Sequence, residues 1–145
     1  MRILVVDDDA ICRLIVKTTL TGFGEIECCN DGAEAVEAFR AGLEGGAAFD
    51  LVCMDIMMPN LNGLEALELI RQEEENRGVE RQHAAKVIMT TAFGDSGTVG
   101  NAFHNLCDAY LVKPIHPKEL LSLVECLCSL EPGTGQDCSL SSPPA

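Results

Sequence analysis

Five runs of strand length, four apolar and one (Glu25–Cys29) alternating, are interleaved with segments of helical period, and this pattern constrains the 145-residue chain most. The runs are Arg2–Val6, Glu25–Cys29, Asp50–Met54, Lys86–Thr90 and Ala109–Val112. The first helical segment, Ala10–Leu20, has apolar residues at 11, 14, 15 and 20 and Asp9 as its N-cap. Further helices are expected over Gly32–Ala41, ended near Gly42, and over Leu64–Glu75, Ser96–Leu106 and Pro117–Leu130. Glycines at 94, 97 and 100 weaken the start of the fourth and suggest that it is mobile. Residues 57–63 form a loop, and the polar stretch Asn76–Ala85 is expected to be a solvated extension. Residues 131–145, rich in Pro, Gly and Ser, are expected to be a disordered tail after a domain over 1–130.

Continuous apolar strands alternating with helices imply an α/β fold with a parallel sheet covered on both faces. Right-handed crossovers put every strand's C-terminal end on one edge of the sheet, where ligands bind. The residues after each run are therefore read together. The first run ends in Asp7 and Asp8, the third in Asp55, the fourth in Thr90 and Thr91, and the fifth in Lys113.

Adjacent carboxylates repel by about 1 kcal/mol per pair in water and about 4 kcal/mol at an effective dielectric of about 20. A hard cation turns that repulsion into attraction. Magnesium prefers oxygen ligands and commonly uses one or two carboxylates together with a phosphate. Lys113 supplies a point charge for phosphoryl oxygens, Thr91 a hydroxyl, and Asp55 a carboxylate nucleophile of the kind that forms aspartyl-phosphate. Each residue also has a plainer role: Asp9 a helix cap, a lone Asp after a strand a turn residue, Lys113–Pro114 a loop. Their coincidence at four strand ends favours a site.

Composition narrows the partners. A formal charge of −13 repels phosphate backbones, so direct nucleic-acid binding is not expected. Nothing resembles a signal peptide, and no apolar run reaches the length of a membrane span, so a cytoplasmic protein is expected. The eight cysteines show no C-x-x-C spacing; several lie in apolar runs and are read as reduced core residues. His104 and Cys107 lack a second pair of zinc ligands, and Cys138 is the thiol expected to be most exposed.

The segments VVDDD (5–9), MDIMMPNLNGLE (54–65), TTA (90–92) and YLVKP (110–114) resemble the marker motifs of response-regulator receiver domains, in order and at similar spacing. The resemblance covers about residues 2–130. It implies a flavodoxin-like five-stranded parallel sheet of order 2-1-3-4-5 with five helices. It also implies that Asp55 takes a phosphoryl group from a sensor histidine kinase or phosphotransfer protein. Asp8, Asp55 and the Met57 carbonyl would ligate Mg²⁺ (or Mn²⁺) directly, with Asp7 acting through water. Thr91 and Lys113 would hold phosphoryl oxygens, and Thr91 and Tyr110 would form the switch.

Met57 stands where many family members have a polar side chain, Phe93 lies two residues past Thr91, also near the phosphoryl position, and together they are expected to shield the phosphate from water. Asn105-Leu106-Cys107 stands where Ala-Gly-Ala is common, so Asn105 is expected to cap the fourth helix.

The expected role is a stand-alone response regulator, monomeric or dimerising on phosphorylation, that signals by protein contact. It would have little enzymatic activity beyond its own phosphorylation and slow dephosphorylation. The kinase face is expected around Ile11 and Leu14, and the downstream face around Tyr110, His116 and Lys118. Three alternatives remain. One is a phosphohydrolase using Asp7 and Asp9, another a receiver-shaped module that never takes phosphate, and the third a fragment of a hybrid kinase.

Overall fold

The computed structural model describes residues 1–58, 61–91 and 106–129. Its strands are β1 (Arg2–Val6), β2 (Glu25–Cys29), β3 (Leu51–Asp55), β4 (Lys86–Thr91) and β5 (Ala109–Val112). Its helices are α1 (Ala10–Leu20), α2 (Gly32–Glu44), α3 (Gly63–Asn76) and α4 (Pro117–Ser129). All strands are parallel, in the expected order β2-β1-β3-β4-β5. The fourth helix read from sequence, Phe93, His104, Asn105, the glycines 94, 97 and 100, and the tail with Cys138 lie outside the described residues, apart from Leu106, which sits in a turn.

Side chains alternate across the pleat, so each central strand feeds two cores. Leu4, Val6, Val52, Met54, Val87 and Met89 pack under α2 and α3. Ile3, Val5, Leu51, Cys53 and Ile88 pack under α1 and α4. β1 and β3 are almost wholly buried, consistent with their continuous apolar sequence. Full burial of one such aliphatic side chain contributes about 1.5–3 kcal/mol. No helix among the described residues is long and apolar enough to cross a membrane.

Several boundaries differ from the sequence reading for physical reasons. α2 runs three residues past Ala41, because Gly42 lies inside the helix and does not end it. A Cβ at Gly42 would press on the Ala47 carbonyl and the Phe49 ring, so the glycine serves close packing. β3 includes Asp55 and β4 includes Thr91, because the ladder continues through Asp55–Thr90 and Thr91–Val112. The stretch after α3 is not simply solvated: Arg81–His83 forms a 3-10 turn and Ala85 is buried.

Cys29, Cys53 and Cys107 are buried, as expected of core cysteines, and burial pushes the Cys29 and Cys53 thiols up to about 12. Cys28 and Cys128 are exposed. Cys126 departs from the expectation of reduced thiols: it is disulfide-bonded.

Candidate functional site

Only Asp7, Asp8 and Asp9 separate β1 from α1. Asp7 is 3% exposed. Its N–H donates to the Cys29 carbonyl at 3.2 Å, its own carbonyl accepts from Arg13 Nη1 at 2.6 Å, and its Oδ1 accepts from the Asp9 N–H at 2.9 Å. Asp8 is exposed. The Asp9 carboxylate caps α1, accepting from the Ile11 N–H at 2.9 Å, with Cys12 Sγ 3.5 Å from its other oxygen. The Ile11 hydrogen bond holds the Asp9 carboxyl below its ordinary range. Asp9 therefore serves the helix as its N-cap.

Asp55 closes β3 and is 4% exposed. The Met57 N–H donates to its Oδ1 at 3.3 Å, while the Met57 side chain is 61% exposed. The start of α3 packs back against this strand end. The Gly63 N–H donates to the Ile56 carbonyl at 2.9 Å, and a Cβ on Gly63 would overlap the Asp55 carbonyl. Asn62 then caps α3 in a reciprocal capping box with Glu65. Thr91 is buried at the end of β4, and its carbonyl accepts from the Lys113 N–H at 2.7 Å. That bond delivers Lys113 to the acids: its Nζ lies 3.1 Å from Asp7 Oδ2 and 3.1 Å from Asp55 Oδ2.

Burial, then the charge of Asp7, raises the Asp55 carboxyl to about 6 against the pull of Lys113. For Lys113, burial acts downward, but the hydrogen bond to Asp7 and the charge of Asp55 outweigh it, and the ammonium is held more firmly protonated than usual. Asp7, Asp8 and Asp55 can each bring a carboxylate oxygen within 4.8 Å of the others. Among the described residues, Lys113 is the one cation that salt-bridges this trio. Three hard oxygen donors balanced by a single ammonium fit a divalent cation such as Mg²⁺.

The structure thus brings together Asp7, Asp8, Asp55 and Lys113, with Thr91 and the Met57 backbone at adjoining strand ends. Tyr110, on β5, is half-buried against the α2–α3 core, with its hydroxyl buried beside the Cys107 thiol. Arg13 is a contact the sequence reading did not single out. Helical side chains lean toward the helix N-terminus, so an Arg one turn inside α1 can reach the preceding loop.

The profile of the response regulator receiver domain family matches residues 3–125. The chemotaxis protein CheY of Bacillus subtilis is 34% identical over 125 residues, which cover 85% of this chain and 93% of that protein. The crystal structure of the CheX–CheY–BeF₃–Mg²⁺ complex from Borrelia burgdorferi is similar with a TM-score of 0.73 and 27% identity. It covers 88% of this chain and 89% of that one. The chain spans far less of other relatives, 47% of the transcriptional regulatory protein ResD of B. subtilis and 7% of hybrid signal transduction histidine kinase I of Dictyostelium discoideum. A parallel sheet in this order, acids and a lysine gathered at its carboxyl edge, and a match along nearly the whole domain lead to one conclusion: the chain belongs to the response regulator receiver domain family, the signalling domains of two-component systems.

Proposed function

We propose that Asp55 accepts a phosphoryl group from a histidine kinase or phosphotransfer protein, and that the chain then signals through phosphorylation-dependent protein contact. The observation that carries this reading is Lys113 Nζ at 3.1 Å from both buried acids, with Asp8 exposed beside them. An Asp55 carboxylate oxygen attacks phosphorus in line with the leaving group. The bond from phosphorus to the donor's imidazole nitrogen breaks and its electron pair stays on that nitrogen; with the ring's other nitrogen protonated in the donor, the imidazole leaves neutral. The product is an acyl phosphate on Asp55. Lys113 loses a carboxylate partner as Asp55 is esterified and is free to meet a phosphoryl oxygen. The Thr91 hydroxyl takes another of these oxygens.

Asp8, Asp55 and the Met57 carbonyl would hold Mg²⁺ (or Mn²⁺), with Asp7 acting through water. Bound there, the ion neutralises the repulsion between the acids and the incoming phosphoryl oxygens. Thr91 and Tyr110 form the switch, whose two arrangements are shifted in population by the phosphoryl group. Residues 1–130 are the receiver and 131–145 a tail. The chain acts as a single-domain regulator in the cytoplasm, monomeric or dimerising on phosphorylation. The kinase face lies at Ile11 and Leu14, which are 70% and 62% exposed, and the downstream face at Tyr110, His116 and Lys118.

The test is intact mass after incubation with acetyl phosphate and Mg²⁺. One added phosphoryl group is expected, absent without metal and absent in Asp55→Asn. No adduct, together with no binding of beryllofluoride as a phosphoryl mimic, would overturn the reading.

A further inference from the structure

We propose that Arg13 is a positioning residue for the cation site: it sets the direction of the Asp7–Asp8 peptide and so aims Asp8 at Asp55. This rests on the cation reading above.

The remaining polar groups of Asp7 are held by three other partners. β2 takes its N–H, the Asp9 N–H takes Oδ1, and Lys113 takes Oδ2. Its carbonyl is left for α1, where Arg13 Nη1 donates at 2.6 Å. That oxygen belongs to the planar unit linking Asp7 to Asp8, so fixing it fixes the rotation of the whole plane. Asp8 is the next Cα on that plane. Its carboxylate is exposed, yet it can bring an oxygen within 4.8 Å of those of Asp7 and Asp55. The charge-assisted bond from a guanidinium is among the stronger ones available for holding a carbonyl.

Positioning and simple charge predict opposite signs, which makes the idea testable. Arg13 is a cation close to a cation site, so removing it should tighten metal binding if charge alone matters. If Arg13 aims Asp8, removing it should weaken binding, by about tenfold, as is common for groups that orient metal ligands.

The experiment is calorimetric titration of Mg²⁺ into wild type, Arg13→Met, Arg13→Lys and Asp55→Asn. The expected result is weaker binding in Arg13→Met, an intermediate loss in Arg13→Lys, which keeps the charge with a less well matched donor, and abolished binding in Asp55→Asn. Should Arg13→Met fail to fold, Arg13→Lys carries the test, with affinity below wild type expected. Wild-type or tighter affinity in the folded Arg13 variants, with binding lost in Asp55→Asn, would overturn this inference and leave the cation reading standing. No Mg²⁺ binding by wild type would overturn both.

Discussion

The two edges of the sheet each gather charge and treat it in opposite ways. At the amino edge, Arg71 reaches from α3 across β4 to β5. Its Nε donates to the Leu106 carbonyl at 2.7 Å, and its Nη1 to the Ala85 carbonyl at 2.9 Å and Glu74 Oε1 at 2.8 Å. Its Nη2 lies 3.3 Å from Asp108 Oδ2. Glu74, only 4% exposed, also accepts from the Ala85 N–H at 2.8 Å, and Asp108 from the Val87 N–H at 2.7 Å. Each carboxylate there has an N–H and a guanidinium. At the carboxyl edge one ammonium and two backbone N–H groups serve Asp7 and Asp55, and among the described residues that ammonium does not reach the exposed Asp8. A charge cluster that completes itself fixes a fold, whereas one left short of positive charge is prepared for a ligand.

The largest predicted effect breaks the completed cluster. Arg71→Met should cost about 3–5 kcal/mol, because it strands a buried Glu74 and removes a support of Asp108. Urea unfolding checks it, and a loss below about 1 kcal/mol would mean that the amino edge is not the closed network described here. Removing an acid at the other edge should have the opposite sign. The folded-state carboxyl of Asp55 sits at about 6, above the ordinary carboxylate value. The folded protein therefore binds a proton that the unfolded chain releases, and stability falls as pH rises from about 4 to about 6. Above that window the full penalty is present. Asp55→Asn removes it but also loses an ion pair with Lys113, so at pH 7 without metal the variant should be about 1–2 kcal/mol more stable. Mg²⁺ should raise the stability of wild type and not of the variant. A metal-free Asp55→Asn less stable than wild type would erase the distinction between the edges.

That distinction was only half legible in the sequence. The strands were, since the buried ones read as unbroken apolar runs and the mostly exposed edge strand β2 as an alternating one, and so were the acids and the lysine at their ends. The sheet order came from the resemblance, because alternation alone fixes neither which strand is central nor which is at an edge. The Arg71 network was not visible: Arg71 and Asp108 are 37 residues apart, and nothing in either neighbourhood marks the pairing. Gly42 was misread because the same residue ends helices and permits close packing inside them. The capping box at Asn62 and Glu65 could have been read from the spacing, but the preceding Pro and Asn residues drew that segment into the loop.

A smaller effect probes how firmly the chain between Asp55 and α3 is held. Asn62→Ala removes the side chain that accepts from the Glu65 N–H at 2.9 Å and should cost about 1 kcal/mol in urea unfolding. Because the capping box follows directly from the loop over Asp55, the variant should also weaken Mg²⁺ binding. An unchanged affinity would show that Gly63 and the Ile56 bond set the loop without the cap.

The smallest effect on stability is expected at Leu14, and there the comparison turns from charge to surface. Leu14 is 62% exposed on α1, beside the carboxyl edge, with Ile11 70% exposed one turn before it. Two large apolar side chains on the helix that leads out of the acid loop suit a partner that must bring a phosphohistidine to Asp55. Leu14→Asp should alter stability by no more than about 0.5 kcal/mol. It should slow phosphotransfer from the cognate kinase or phosphotransfer protein by about tenfold, the loss of one apolar anchor at an interface. Acetyl phosphate should label the variant as fast as wild type, since a small donor needs no docking surface. Equal loss with both donors would place the defect in the acid site itself, and the carboxyl edge would then be a site without a separate docking face.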